Sequence, residues 1–175
     1  KFFKKAPETE KIVKSLQNNN DIYLVPAFTG LGAPYWDANA RGVLSGITRD
    51  TSPKEIVRAT IEAVAYQTHD LFEAMKHDGL RPKIVKVDGG MVMNNWFSQF
   101  LSDIVNVKVL RPKVQETTAL GAAFMAGLYL GIYKSLKDIS KNWNLDKRFS
   151  PKMKNKSRTI LINGWEKAVK RALIN

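Results

Sequence analysis

Residues 84–133 alternate between short β-branched runs and segments of helical composition, which limits the chain to a small set of folds. We predict strands at 84–88 and 107–110, each followed by a helix, at 94–105 and 118–133. Strand, helix, strand, helix is the pattern of parallel α/β units joined by right-handed crossovers. The predicted fold class is therefore α/β.

The best-defined single element is a helix over residues 53–78. Ser52 is a good N-cap, Pro53 occupies the first helical position, and Glu55 completes a capping box. Gly79 follows at the place where a helix of this length ends.

Four further segments are predicted: a surface helix at 6–17, a short buried strand at 22–26, an ordered loop at 28–46 and a last helix from Asn163 to about Ile174. Three strands make a poor sheet for five helices. We therefore expect part of an α/β domain whose other strands lie elsewhere.

The composition narrows the class of protein. A length of 175 residues suits about one domain, and the absence of cysteine excludes disulfides, thiolate metal sites and a cysteine nucleophile. It also fits a reducing compartment, so we expect a cytoplasmic protein. The sequence begins at Lys1 without a signal peptide, which indicates a processed chain or a piece of a longer protein.

The longest uncharged run covers residues 117–133 and is rich in glycine and alanine. It is somewhat short for a membrane span. We predict a buried helix there and no membrane association.

The net charge of +12 raises the question of nucleic-acid binding. Basic residues are spread along the chain, and the densest segment, 147–158, has six Lys or Arg and no acid. It lacks interleaved aromatic residues beyond Phe149, so a solvated connector is the favoured interpretation. A surface for a polyanion or an acidic partner is the alternative.

The segment Asp88–Gly89–Gly90 follows the predicted strand 84–88 and precedes a helix. Ligands of open α/β sheets bind beyond the carboxyl ends of strands, and adjacent glycines let the backbone approach a ligand closely. Free N–H groups at a helix start attract phosphate, and the Asn94 amide can both donate and accept. Phosphates by the glycines and a nucleoside near Asn94 are one interpretation; a tight turn with an asparagine cap is an equal alternative.

Other candidate residues are weaker. Thr117 or Thr118 can cap the following helix. In that helix three small residues are spaced by four and share one face, namely Ala123, Gly127 and Gly131. This spacing favours tight helix packing over a second glycine-lined wall for a ligand. Three carboxylates are candidates for acid–base or Mg²⁺ chemistry, namely Asp37, Asp50 and Asp88. Asp88 is the best placed of them, because it ends a predicted strand. The favoured role of Asp88 is nevertheless to cap the glycine turn. His69 and His77 show no metal or catalytic pattern.

Several long segments, in order, resemble the FGGY carbohydrate kinases. GVLSGITRDTSPKEIVRATIE (42–62) resembles the downstream signature of the family, DGGMVMNNWFSQFLSD (88–103) is similar to its nucleotide-loop segment, and TALGAA (118–123) matches its next helix. VPAFTGLGAPYWDANARG (25–42), AYQTHDLFEAM (65–75) and GWEKAVKRA (164–172) resemble the members that phosphorylate glycerol.

The resemblance implies an actin-like, ribonuclease-H-like ATPase fold that uses ATP and Mg²⁺. By this resemblance residues 1–175 form the nucleotide-side C-terminal domain, without its first strands and without the substrate domain. Gly90 and Asn94 contact the nucleotide in such kinases, and we include Gly89 in the candidate site. Met91, where many relatives have a small residue, departs from the pattern.

The resemblance also implies that the catalytic base and the glycerol contacts belong to the region upstream of this chain. The expected partners are ATP or ADP, glycerol through the absent half, and a second copy or a complementing N-terminal half; nucleic acid is not expected. Two alternatives stay open: another polyol or sugar kinase of the family, and a non-catalytic basic module that uses residues 147–158.

Overall fold

The computed structural model describes residues 8–173, which form a mixed α/β fold. In chain order its elements are α1 (Glu8–Lys14), β1 (Tyr23–Val25), β2 (Val43–Ser45), α2 (Pro53–His77), β3 (Ile84–Lys86), a 3-10 turn (Gly90–Met93), α3 (Asn95–Val105), β4 (Lys108–Pro112), α4 (Thr117–Tyr129), α5 (Leu136–Ser140), β5 (Leu145–Phe149) and α6 (Asn155–Ala172).

Two separate sheets organise these elements. In the larger sheet β4 is central, pairing in parallel with β3 and antiparallel with β5. The smaller sheet is the antiparallel pair of β1 and β2. The parallel unit predicted from the alternation at 84–133 is therefore confirmed, and the larger sheet is mixed.

Two strands were missed by the sequence interpretation. The first, β2, lies inside the segment predicted to be a loop, and its three residues are too few to show a period of two. The second, β5, contains Asp146, Lys147 and Arg148 and exposes all of its residues except the last. A charged edge strand resembles a solvated connector in sequence, so the prediction of a connector at 147–158 was right only for its middle: 147–149 end β5, 150–154 connect, and 155–158 begin α6.

The last helix begins at Asn155, eight residues before the predicted cap at Asn163. The first two turns of α6 contain no buried residue, and Trp165 is the first that is buried. Periodicity detects only the half of a helix that packs on the core, which explains the late predicted start.

Helix α4 does not have the predicted burial. Gly127 is its only buried residue, whereas Met125 is 54% and Tyr129 is 91% exposed within the described part of the chain. The helix ends at Tyr129, so Gly131, with a φ of 74°, lies beyond it and does not share a helical face with Ala123. Apolar composition predicts burial only where another element is present to cover it.

The ring of Tyr133 closes over Gly127, where an added Cβ would lie 2.8 Å from the ring. Among residues 8–173, no helix combines the length and the apolar character that crossing a bilayer requires.

Helix α2 is the centre of the core, and its predicted capping box is present at Ser52 and Glu55. On its buried face, the Glu62 side chain is fully enclosed. Glu62 accepts a 2.6 Å hydrogen bond from Arg58 Nε and a 3.0 Å hydrogen bond from the Tyr66 hydroxyl. Burial raises the pKa of Glu62, while the charge of Arg58 opposes that rise.

Aromatic side chains join α2 to its neighbours. The Tyr66 ring stacks on Trp165 of α6 with 5.3 Å between centroids, and it meets Phe100 of α3 edge-on at 5.6 Å. The indole nitrogen of Trp165 donates to Asp70 of α2 at 2.7 Å. These contacts fix three helices around one buried ring.

Gly164 allows α6 to lie against β1. An added Cβ at Gly164 would overlap the hydroxyl end of the buried Tyr23 ring. Gly121 in α4 differs, because nothing lies within 4 Å of its added Cβ.

These two helical glycines should respond oppositely to alanine. We expect Gly164→Ala to lower the free energy of unfolding by about 1–3 kcal/mol through overpacking. We expect Gly121→Ala to raise it by about 0.5–1 kcal/mol, because alanine favours the helix. Urea denaturation followed by circular dichroism measures both, and a shift of the same sign in the two variants would contradict this account of Gly164.

Candidate functional site

The loop after β3 is tied to both neighbouring elements. The N–H of Val87 donates to Leu110 of β4 at 3.1 Å, and the N–H of Gly89 donates to the Gln115 carbonyl at 3.2 Å. These bonds hold the start of the loop against the carboxyl end of β4, the edge where ligands of α/β sheets bind.

Asp88 has a different partner from the one predicted. The Thr117 hydroxyl donates to the Asp88 carboxylate, which joins the loop to the first turn of α4. The N-cap of α4 is Glu116, without a side-chain capping bond. The predictions that Thr117 or Thr118 caps this helix, and that Asp88 caps the glycine turn, were therefore wrong.

The two glycines of the loop serve different needs. Gly89 has a φ of 81° and a ψ of 175°, a conformation that is essentially restricted to glycine. Gly90 lies outside the positive-φ range, and nothing is within 4 Å of its added Cβ. Backbone geometry thus explains Gly89, whereas neither geometry nor packing within the described residues explains Gly90.

Between the glycines and α3 lies the 3-10 turn Gly90–Met93, so the glycines do not open the α-helix directly. Asn94 is the N-cap of α3, and its Oδ1 accepts from the N–H of Phe97 at 3.0 Å. Its Nδ2 faces the Thr9 hydroxyl at 3.5 Å, the limit of a hydrogen bond. The capping alternative for Asn94 is confirmed, and its amide nitrogen is only weakly engaged.

Gly90 and Asn94 line one cavity of about 400 Å³. The other lining residues are Thr9, Glu10, Ile61, Met91 and Met93. The structure therefore brings together two of the three predicted site residues, while Gly89 supports the loop without lining the cavity. The departure from the family pattern noted at Met91 places an apolar side chain on this cavity.

Glu10 lies on one side of the cavity and forms an ion pair with Lys14, 2.6 Å away. Burial by itself raises the pKa of Glu10. Hydrogen bonds from Lys14 and from the N–H of Asn95, together with the charges of Lys14 and Lys147, outweigh that effect, so the pKa of Glu10 lies below its usual range. The Asn95 N–H donates to the Glu10 carboxylate at 3.3 Å. An ionised glutamate thus lies at the N-terminus of α3, where the helix dipole favours it.

Sequence reasoning missed Arg111 of β4. Its guanidinium donates to the Val92 carbonyl at 2.7 Å, and a second, longer contact of 3.4 Å reaches the Met93 carbonyl. A lone arginine inside a strand carries no local sequence signal, because its partners are distant in the chain.

The other candidate residues lie away from this loop or have structural partners. The imidazole of His69 lies 3.6 Å from Asp70 and 3.4 Å from Glu73. Asp37 accepts from the N–H groups of Asn39 and Ala40 and so closes a turn. Within residues 8–173, no three histidine or carboxylate side chains are grouped in a way that could hold a metal ion.

Comparison with known proteins assigns this chain to a protein family. Residues 3–130 match the family model described as the FGGY family of carbohydrate kinases, C-terminal domain. The chain belongs to this family, and its fold is the actin-like ATPase fold of these kinases.

Three relatives show the similarity in detail. The chain is 54% identical over 171 residues to glycerol kinase 1 of Pseudomonas aeruginosa, covering 98% of this chain and 35% of the relative. It is 52% identical over 169 residues to glycerol kinase of Caldanaerobacter subterraneus subsp. tengcongensis, covering 96% and 34%. The crystal structure of Plasmodium falciparum glycerol kinase with ADP matches with a TM-score of 0.86 and 37% identity, covering 99% and 35%. The chain spans about a third of the length of these relatives.

The distinct roles of the two glycines can be tested by stability. We expect Gly89→Ala to lower the free energy of unfolding by about 1–3 kcal/mol, because alanine is strained at that φ and ψ. Gly90→Ala should change it by less than about 0.5 kcal/mol, because its side chain meets open space. Urea denaturation of both variants tests this; an equal loss at the two positions would show that Gly90 also has a structural role.

Proposed function

We propose that this chain is the nucleotide-side portion of a kinase that transfers the γ-phosphoryl group of Mg-ATP to glycerol. The support from comparison is identity above 50% to two glycerol kinases across nearly the whole chain. The related structure from Plasmodium falciparum is a complex with ADP, which supports a nucleotide as the ligand of this domain.

The observation that carries the proposal is Gly90. A glycine with ordinary φ, open space at its Cβ position and a place on a cavity is not needed for the fold. The absence of a side chain there lets a nucleotide phosphate approach the backbone closely. Gly89 supplies the backbone conformation that presents this stretch.

The loop supports an orientation for the nucleotide. The glycines let the phosphates approach the backbone closely, which leaves the nucleoside near Asn94. The weakly engaged Nδ2 of Asn94 can donate to the nucleoside while Oδ1 keeps its capping bond. Met91 and Met93 offer apolar contact to the nucleoside.

The chemical step needs in-line positioning, neutralisation of the phosphate charge and a base for the attacking hydroxyl. This chain contributes positioning of the nucleotide. Its carboxylates at the loop and cavity, Asp88 and Glu10, already accept hydrogen bonds from Thr117 and Asn95. By this proposal the base and the glycerol contacts lie in the upstream portion of the longer protein. We further propose that the complete enzyme acts in the cytoplasm.

Mg²⁺ is part of the proposal because it neutralises the phosphates in such transfers. Residues 8–173 offer no three-residue metal group, so their donors do not fit a protein cage for the ion. Mg²⁺ commonly retains waters and binds through substrate phosphates with one or two carboxylates, which is compatible with this chain.

The exposed apolar face of α4, at Met125 and Tyr129, supports completion of the fold by the upstream portion, since the relatives are about three times longer. A homo-oligomer is a further proposal for the complete enzyme. Solved sugar kinases under 25% identical show only the fold, so they favour no other substrate.

Calorimetric titration with Mg-ADP tests the nucleotide site. We expect saturable binding that is lost in Gly90→Val, because the added side chain occupies the approach to the backbone. Asn94→Ser should weaken binding by about tenfold while the helix stays capped, since serine is also a good N-cap.

Thermal unfolding of the same variants is the control, and both should unfold within a few degrees of the wild type. Gly121→Ala is a matched glycine variant outside the cavity and should bind as the wild type does. Equal affinity for Mg-ADP in wild type and Gly90→Val would remove Gly90 from the site.

The isolated chain should not phosphorylate glycerol. The reason is that the proposed base and glycerol contacts lie outside it. A coupled assay of glycerol-dependent ADP release by the purified 175-residue chain measures this, and turnover above the no-glycerol background would place the base within this sequence.

A further inference from the structure

Arg111 contacts the turn that separates the two proposed nucleotide contacts. The residue is only 6% exposed. Its Nη1 donates to the Val92 carbonyl at 2.7 Å and more weakly to the Met93 carbonyl at 3.4 Å. Val92 and Met93 lie between Gly90 and Asn94, so one guanidinium holds the backbone that links both.

The guanidinium is itself held in one orientation. Its Nε and Nη2 both lie 2.7 Å from Oδ2 of Asp146 on β5. The group also lies over the Phe149 ring, 5.6 Å from its centroid. A planar cation fixed on one edge by a carboxylate and on one face by a ring presents its remaining edge with little freedom.

A second side chain strengthens the same point of the turn. The buried Ser98 hydroxyl of α3 donates to the Val92 carbonyl at 2.9 Å. The Val92 carbonyl therefore has two donors, one from the sheet and one from the helix. The turn is positioned relative to β4 and α3 together.

We infer that Arg111 is a positioning residue for nucleotide binding, which sets the spacing between Gly90 and Asn94 by holding the Val92 and Met93 carbonyls. This inference rests on the proposed function, because it is the nucleotide that requires that spacing. Arg111 acts through the turn, since its own donors are directed to Val92, Met93 and Asp146.

The substitution Arg111→Lys tests whether the geometry of the Arg111 side chain matters separately from its positive charge. Arg111→Lys keeps the cation near Asp146, but a point-like ammonium cannot replace the planar fork that reaches Asp146 and the Val92 carbonyl together. Two controls accompany it in the full 175-residue chain. Arg148→Lys makes the same change at an exposed arginine of β5, and Val109→Ala destabilises β4 at a fully buried residue whose side chain has no hydrogen-bond donor for the turn.

Amide hydrogen exchange measured by NMR reports the stability of the turn's hydrogen bonds without any ligand. The reporters are the N–H of Asn94, bonded to the Met91 carbonyl at 3.1 Å, and the N–H of Phe97, bonded to Asn94 Oδ1 at 3.0 Å. We expect Arg111→Lys to speed their exchange about tenfold relative to core amides, the effect of losing a charge-assisted bond. Neither control should do so. Reporter exchange that rises no more than core exchange would overturn the inference.

Affinity for Mg-ADP gives the second readout. We expect Arg111→Lys to bind about tenfold more weakly, with Val109→Ala unchanged at temperatures well below unfolding. Unchanged affinity in Arg111→Lys would also overturn the inference. If the wild-type chain binds no Mg-ADP, the proposed nucleotide site of the chain fails, while the exchange experiment still decides whether Arg111 holds the turn.

Discussion

The enclosed carboxylate of Glu62 constrains the packing around α2. A fully buried carboxyl group is tolerated only with hydrogen-bonding partners, and Arg58 and Tyr66 supply them from the same helix. Because Tyr66 is held there, its ring meets Trp165 of α6 and Phe100 of α3 at defined angles. The position of α3, and with it the Asn94 cap, follows from this arrangement.

The candidate site lies where the sheet and this helical core meet. The β3 loop is hydrogen-bonded to Gln115 and Thr117 at the start of α4. The turn that follows it is hydrogen-bonded to Arg111 of β4 and to Ser98 of α3. The loop is therefore held by hydrogen bonds on the protein side, while Gly90 faces open space. A backbone held in this way, with one open face, suits a bound phosphate, because less ordering of the loop accompanies binding.

The exposed apolar surface of α4 contrasts with the well-packed region of α2, α3 and α6. Met125 is 54% and Tyr129 is 91% exposed among residues 8–173. Relatives about three times longer contain further chain that can cover such a face.

Local chemistry in the sequence was enough to predict the α2 capping box and to give the Asn94 cap as one of two interpretations, because both depend on neighbouring residues. The parallel pair of β3 and β4 was predicted from the alternation of strand and helix along the chain, although the paired residues themselves are distant. The sequence did not predict β5, the full length of α6 or the exposure of α4, since those depend on what packs against them. Arg111 belongs to the second group. Its partners Val92, Met93 and Asp146 lie 18 to 35 residues away, and only the folded chain brings them within hydrogen-bond distance.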